Sequence, residues 1–569
     1  SEHTNVATLD DALHAHRTGD LVHAAALYRE ILDSDPINAD ALHLLGVIAH
    51  QRGDHMEAIG LIRRAIQARP GTAIFHSNLG EALRANGQLE AAINEYKIAI
   101  SIKPAFADAH GNLGAALRAA GRATEAIESF RQAVRLDPDS PDTLMNLGVT
   151  LREQQQLEEA AECFRHAVNA QPDFAEAHVN LGNVLKELGQ FEQAGGHYRQ
   201  ALRIRPTLVL AHHNLANLLI EGEQFLAARD HYHAAFKLMH GDHLWNATCL
   251  PQTAPTQSEA RPIETTPFEL VNCAEHVEYL VEIGKVDQSF LDIAQRYRSV
   301  LSEIDQAASV NATLMLTPAQ SARIAGCHHK VIRYADAPRV PGCAVNENLD
   351  FAHIEDEYLS SPVAVIRFDN FLSPSALRGL RDFCLESTIF FGRDRAGTLQ
   401  SYVGAGFDCT LLFQIVEELK RRFPRVLGKQ VLRNMWVYRY ASEGQGVNLH
   451  TDNASVTFNF WITEDEGNLD SGGSGLIVYA KEQPLDWNWA RYNRDKDQPE
   501  VLKEIRDFLN SANTVRIPYR ENRAVLFHSN LYHQSDRPRF REKYRYRRMN
   551  VTLLFGDRGH DVRVKYLNT

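Results

Sequence analysis

Proline recurs at residues 36, 70, 104, 138, 172 and 206, each 34 residues after the one before. No other feature constrains the chain as strongly, because a fixed period of this length means one small supersecondary unit used again and again. Glycine keeps the same period at Gly19, Gly53, Gly87, Gly121 and Gly189, with Gln155 and Glu223 replacing it at two places. Each of these positions falls where a turn must join two short helices. Between them, stretches such as AHGNLGAALRAAGRATEAIESFRQAVRLDP set apolar and small residues at i, i+3, i+4 and i+7, which gives each helix one buried stripe. A helix pair of this size cannot bury that stripe alone, so the units must stack into a solenoid with a concave face.

This pattern resembles the tetratricopeptide repeat over roughly residues 1–240, about seven units. Within it Asn78, Asn112, Asn146, Asn180 and Asn214 share one phase, where the earlier repeats carry Leu44. A side-chain amide offers two donors and one acceptor, so a column of them can grip the backbone of an extended peptide whatever its side chains. The column resembles the groove of O-linked N-acetylglucosamine transferase, whose asparagines hold peptide. That resemblance implies substrate binding by these five residues, and the alternative is that they brace neighbouring helices. His76, His110, His178 and His212 precede four of them by two positions and read as packing or rim residues, being too far apart to share an ion.

The length of 569 residues exceeds what one hydrophobic core supports. The periodicity fails at residues 241–266, rich in Pro, Thr and Gln, and Thr266-Pro267 then opens a helical stretch expected to run to about 311. It could brace the flanking domains or form a homodimer contact. From about residue 336 the chain becomes short β-prone runs: PVAVIRF, MWVYRY, SVTFNFWI, GLIVY, RAVLF and MNVTLLF. The expected organisation is an all-α solenoid (1–240), a linker and helical connector (241–335) and an all-β sandwich or barrel (336–569).

Among the strands, VNLHTDN places His450 and Asp452 two apart, so in extended chain both point the same way. His533, just beyond the run ending at Phe527, offers a third donor; His528, which directly follows that run and falls inside the expected strand, is the rival. Two imidazoles and a carboxylate on one face of an ion suit a non-haem Fe(II) oxygenase. Seven basic residues and one acid then lie between Arg537 and Arg548. With aromatics interleaved they could suggest nucleic acid. Against that, the net charge is −12, and in RRMNVTLLF Arg548, Asn550 and Thr552 share a face, so Arg548 can reach inward to clamp a carboxylate.

With YASEGQGVNLHTDN these residues make the C-terminal part, about 360–557, similar to the Fe(II)/2-oxoglutarate-dependent dioxygenases and, among them, the prolyl hydroxylases. The resemblance implies a double-stranded β-helix (jelly roll), Fe(II) on His450, Asp452 and His533, and 2-oxoglutarate anchored by Arg548, with Lys543 and Arg545 as alternatives. It also implies Tyr440, Trp461 and Thr552 at the cosubstrate, with O2 as oxidant. Trp461 stands where the family often has tyrosine, and an insertion containing PLDWNWARYNRD and PEVLKEIRDFL lengthens the path to the third ligand. The function implied is hydroxylation of a protein or peptide recruited by the repeats. The alternative is oxidation of a small metabolite or nucleic acid, with the repeats as scaffold. Seven scattered cysteines without a CxxC pair argue against disulfides and against zinc at Cys327-His328-His329. No apolar run spans a bilayer and no signal segment is recognisable, so a cytoplasmic location is expected.

Overall fold

The computed structural model describes residues 8–241, 261–304, 309, 312–394, 398–444, 446–494, 498–559, 561 and 563. The chain divides into two compact units, 1–206 and 207–569.

The first unit is a run of paired helices of 9 to 14 residues. One small residue per repeat sets the closeness of each pair. A Cβ on Gly46, Gly80, Gly114, Gly148 or Gly182 would lie 2.6 to 2.8 Å from Ile62, Tyr96, Phe130, Phe164 or Tyr198 of the following helix. Glycine there lets the ring lie against bare backbone, and every such large side chain is buried. The turn glycines take the left-handed conformation, φ +75° to +88°, and Gln155, in the same phase, takes it at φ 59° despite its side chain. His76, His110 and His178 donate Nε2–H to the carbonyls of Pro70, Pro104 and Pro172, so these histidines brace the joints between repeats.

The second unit begins with a helix pair still in phase with the repeats, Val209–Glu221 and Phe225–His240, in which Glu223 takes the left-handed turn at φ 57°. Sequence period and compact packing therefore part company at Pro206. The reason lies in what this last pair touches: Phe225 stacks on Phe413 with centroids 5.9 Å apart, Glu223 pairs with Lys420 at 2.6 Å, and Phe236 packs on Tyr334 and Phe391. Most of the 241–266 linker, Asp242 included, lies outside the described residues. His240 is engaged elsewhere, donating Nδ1–H to His329 O at 3.2 Å and stacking on Phe391.

The connector differs from the single helical stretch expected. It is two helices, Pro267–Glu282 and Leu291–Leu301, because Gly284 turns left-handed at φ +68° between them. Thr266 caps the first, accepting from Glu269 N. A two-stranded pair, β1 (Glu264–Thr265) and β2 (Leu314–Met315), closes the subdomain. Buried Arg547 joins it to the β-region through Glu275 at 2.5 Å, and His276 pairs with the Tyr544 hydroxyl at 2.7 Å.

The β-region holds ten strands among its described residues: β3 (Val365–Phe368), β4 (Gly392–Asp394), β5 (Thr398–Tyr402), β6 (Leu432–Tyr440), β7 (Val456–Trp461), β8 (Leu476–Glu482), β9 (Thr514–Ile517), β10 (Ala524–His528), β11 (Leu531–Ser535) and β12 (Met549–Phe555). They form a seven-stranded sheet in the order β3-β10-β7-β12-β6-β5-β4 and a three-stranded sheet β11-β8-β9, antiparallel at every pairing. Two antiparallel sheets are thus what the structure shows of the expected jelly roll. Helix Pro374–Glu386 starts at Ser373, whose hydroxyl accepts from Ala376 N, and helix Thr410–Arg422 stops just short of Pro424. The six described cysteines are free thiols. No described helix is long and apolar enough to cross a membrane.

Candidate active site

His450 follows the glycine-bearing loop after β6, and His533 is the third residue of β11. Backbone pairing fixes their meeting: His450 N donates to His533 O at 3.0 Å and His533 N to His450 O at 2.9 Å, an antiparallel bridge that sets the two rings 4.2 Å apart. Asp452 is held two residues on, its N–H donating to Ser529 O. The three side chains bring one donor atom each within 4.8 Å of one another. His450 Nε2 lies 3.8 Å from Asp452 Oδ1, and His533 Nε2 lies 3.5 Å from Asp452 Oδ2. Donors about 2.0–2.2 Å from one ion sit roughly 3 Å apart, so a small contraction around a cation closes this set.

The surroundings fix which nitrogen faces the carboxylate. His450 Nδ1–H donates to Asn448 O at 2.7 Å and His533 Nδ1–H to Leu531 O at 3.0 Å. Since a carbonyl only accepts, both neutral rings carry their proton on Nδ1 and present the Nε2 lone pair inward. Thr457 Oγ1 donates to Asp452 Oδ2 at 2.7 Å and pins the carboxylate.

Beside the triad is a cavity of about 340 Å³, lined by Tyr440, Arg548, Thr552, Asn550, Asn459 and Ser535 together with the three donors. Arg548 is 1% exposed, and its hydrogen bonding among the described residues consists of Nη1 to Asp536 O at 3.5 Å. Among the described residues its Nε has no acceptor and no carboxylate forms an ion pair with it. Burial lowers its pKa from the usual arginine value, opposed by Tyr440, Tyr519 and Asp536. The guanidinium lies 4.3 Å over the Tyr440 ring, and the Tyr440 hydroxyl pairs with Ser535 Oγ at 3.0 Å. Thr552 Oγ1 accepts from Asn550 Nδ2.

Other sequence candidates fall elsewhere. Trp461 does not line the cavity; fully buried with Tyr519, Val525 and Phe527, it backs Arg548 at 5.7 Å. Arg545 pairs with Glu464 at 2.8 Å and Lys543 is exposed, so the cation in the cavity is Arg548. His528 lies in β10 and clusters with Glu482 and Asp561, both already bound to Arg563. Burial lowers its pKa. Burial pushes the Cys327 thiol up to about 11, and Sγ–H donates to Ile324 O. His328 and His329 gather with Glu269, whose oxygens are engaged by His329 at 2.8 Å and by Thr265 at 2.7 Å.

The asparagines occupy the first helix of successive repeats and are half-buried. Asn78 is already engaged: its Nδ2–H donates to His43 Nε2 at 2.8 Å, a ring that burial keeps neutral with its pKa lowered to about 4. The side chains of Asn112, Asn146 and Asn180 make no hydrogen bond among the described residues. Asn214 sits in helix Val209–Glu221 of the second unit.

Sequence reasoning missed Asn459, Ser535 and Trp436 as lining residues, although alternation along β6 and β7 set Trp436 in phase with Tyr440 and Asn459 in phase with Trp461. It also missed the grip on Thr451, the residue between two of the donors. Asn493 Oδ1 accepts from Thr451 N at 2.9 Å, Asn493 Nδ2 donates to Thr451 Oγ1 at 3.1 Å, and Trp489 Nε1 donates to Thr451 O at 3.4 Å. Both gripping residues come from the insertion.

Residues 3–205 match the family model of the tetratricopeptide C-terminal domain of cilia and flagella-associated protein 70. The N-terminal unit is a tetratricopeptide-repeat solenoid. Similar solved structures include MamA (24% identical over 30% of this chain and 98% of that one, TM-score 0.27). YrrB, described as a TPR protein with an unusual peptide-binding site, is 18% identical over 33% of this chain and 97% of its own (TM-score 0.29). Pseudomonas aeruginosa pilF is 20% identical over 36% and 93% (TM-score 0.33). No curated protein matches significantly.

Proposed function

We propose that the chain is an Fe(II)- and 2-oxoglutarate-dependent dioxygenase that hydroxylates a protein or peptide recruited by its repeats. The single observation that carries this reading is the conjunction, in one cavity, of three inward-facing donors with a buried guanidinium that lacks a counter-ion. A cation beside the donors would satisfy Asp452 and both Nε2 lone pairs. A carboxylate ligand would satisfy Arg548, whose burial without a partner is otherwise costly. The donor set, two nitrogens and one oxygen, is the kind that suits Fe(II).

On this reading His450, Asp452 and His533 hold the iron, and Arg548 holds the far carboxylate of 2-oxoglutarate. When bound, the pair supplies oxygen activation coupled to decarboxylation of 2-oxoglutarate to succinate and CO2. The chain's own residues do the rest. Asn448 and Leu531 carbonyls keep both imidazoles in the ligating tautomer, and Thr457 orients the carboxylate. Tyr440 and Ser535 offer hydroxyls to the cosubstrate, and the apolar bed of Trp461 and Tyr519 keeps Arg548 dry, which strengthens its hold on an anion. The sheets would then be the two halves of a double-stranded β-helix. In the solenoid, Asn112, Asn146 and Asn180 contribute free amides to a peptide backbone, with Asn78 at one end of the column.

The test is anaerobic reconstitution of wild type and Asp452→Ala with Fe(II) and 2-oxoglutarate, followed by oxygen and a succinate assay. Succinate from the wild type alone is expected; equal amounts from both would remove the assignment.

A further inference from the structure

A second, wider space of about 790 Å³ meets the cofactor cavity at His450, Asp452, Trp436 and Tyr438. It falls toward the upper end of the roughly 300–1,000 Å³ typical of ligand pockets, and it opens directly on the candidate metal donors. Its walls combine Trp436 and Trp489, the amides Asn434, Asn453 and Asn493, and, besides the donor Asp452, three charged residues, Arg433, Asp557 and Arg558. Two of those charges cancel, since Arg433 pairs with Asp557 at 2.6 Å.

Arg558 has no such partner. Its Nη2–H donates to the neutral carbonyl Gln483 Oε1 at 2.8 Å, its Nε is buried without an acceptor, and no carboxylate pairs with it among the described residues. Burial lowers its pKa, and the group opposing that shift is a phenol, Tyr532. The same Gln483 oxygen accepts from Thr451 Oγ1 at 3.0 Å, so the unpaired guanidinium is one side chain away from the loop that carries two of the metal donors.

We propose that Arg558 is the carboxylate-recognising subsite of the substrate cleft, so that the preferred substrate is a peptide with an aspartate or glutamate close to the oxidised residue, held against the Trp489 wall built by the insertion. The proposal rests on the oxygenase reading only in taking this cleft as the substrate's. A charge of −12 over the whole chain repels acidic peptides in general, so a preference for them must come from a local cation. The amide lining of the cleft, Asn434, Asn453 and Asn493, offers donors and acceptors to a peptide backbone that a free dicarboxylate would leave unused.

The test is fluorescence anisotropy with the full chain and three labelled pools of sequence-randomised peptides, each carrying two aspartates, two asparagines or two lysines. The aspartate pool is expected to bind about tenfold tighter than the asparagine pool, a difference of about 1.4 kcal/mol. Arg558→Gln should erase the difference, and Arg558→Glu should shift preference to the lysine pool. Comparing the two variants guards against misfolding, because an unfolded cleft loses all preference and does not invert it. Equal binding of all pools by the wild type overturns the proposal, as does an aspartate preference that Arg558→Glu leaves intact. Displacement of the pool by N-acetylaspartate as effectively as by unlabelled peptide would assign the site to a small dicarboxylate and equally overturn it. Because anisotropy needs no turnover, an Arg558-dependent preference without succinate formation would sink the oxygenase and leave the subsite standing; the opposite pattern would sink the subsite alone.

Discussion

Arg548→Met separates the cost of the cavity from its use. In the structure the guanidinium is fully buried, with one long hydrogen bond and no carboxylate partner. Replacing buried charge by an apolar side chain of similar length is often stabilising, by about 1–4 kcal/mol. The loss of volume from Arg to Met offsets about 1 kcal/mol of that, so the ligand-free variant should be about 0–3 kcal/mol more stable than wild type. The second unit holds all five tryptophans, so their fluorescence follows its unfolding alone. At about 2.1 cal/mol/K per residue over its roughly 360 residues, each kcal/mol shifts Tm by about 1.3 °C, and the expected change is a rise of about 0–4 °C. Ligand should reverse the order. With redox-silent Mn(II) and 2-oxoglutarate at 100 times the wild-type Kd, the wild type gains about 2.7 kcal/mol. Loss of a buried charge pair costs about 2–5 kcal/mol of binding and weakens Kd at least thirtyfold, leaving the variant about 0.8 kcal/mol or less. A variant less stable than wild type without ligand would show that Arg548 is held by the protein itself. An undiminished shift with 2-oxoglutarate would show that another group carries the anchor.

Further outcomes follow from single sites. Asp408 is buried with the Tyr334 hydroxyl donating to it, and burial raises its pKa to about 7. The folded state therefore holds a proton that the unfolded carboxyl, near 3.8, has released, so this contribution is present below pH 4 and is lost as pH rises toward 7, at up to about 1.4 kcal/mol per unit. Asp408→Asn should flatten the fall in stability between pH 5 and 7 in urea melts followed by tryptophan fluorescence, and an unchanged slope would refute it. In the solenoid, Gly148→Ala drives a methyl to 2.6 Å from the Phe164 ring and should cost about 1–3 kcal/mol by far-UV circular dichroism. Gly60→Ala, with nothing within 4 Å of its Cβ, should add about 0.5–1 kcal/mol; equal effects would mean the helices are not packed as described. Replacing Asn112, Asn146 and Asn180 together by alanine removes about 1 kcal/mol per amide contact, so binding of a sequence-randomised peptide pool should weaken on the order of 100-fold with helicity unchanged. Unaltered binding would make the column structural.

Why some of this was legible in the sequence and some was not has a physical basis. The repeats announce themselves because each unit meets the same neighbours, so the same residue types recur at Gly80, Gly114, Gly148 and Gly182 against Tyr96, Phe130, Phe164 and Tyr198. A recurrence marks contact within a period, though, and says nothing about where a compact unit ends. Helix Phe225–His240 keeps the pattern while its aromatics pack on Phe413 and Tyr334. The β-region was readable wherever a strand is central. β6, β7, β10 and β12 are buried and rich in branched and aromatic residues, whereas β4, β5 and β9 are short and toward the sheet edges and carry no such run. β11, residues 531–535, is not among the β-prone runs read from the sequence, since its partner β8 lies about fifty residues back across the insertion.

The site shows the same division. Spacing of two placed His450 and Asp452 on one side of the chain, and alternation placed Arg548 with Asn550 and Thr552, because both rest on local geometry. Trp461 sits on a strand whose alternation puts it in phase with Asn459, but only Asn459 lines the cavity, the indole being drawn into the apolar cluster below it. Period two fixes the side of a sheet and leaves depth to packing. The link from the insertion to Thr451 has no local signature at all: Trp489 and Asn493 reach a residue about forty positions earlier, and each bond goes to backbone or a hydroxyl that any sequence could supply. An insertion anchored between two of the candidate metal donors and facing the open cleft can alter the cleft without altering a single donor, so on the proposed reading this is where variation would change specificity while leaving the donor set intact.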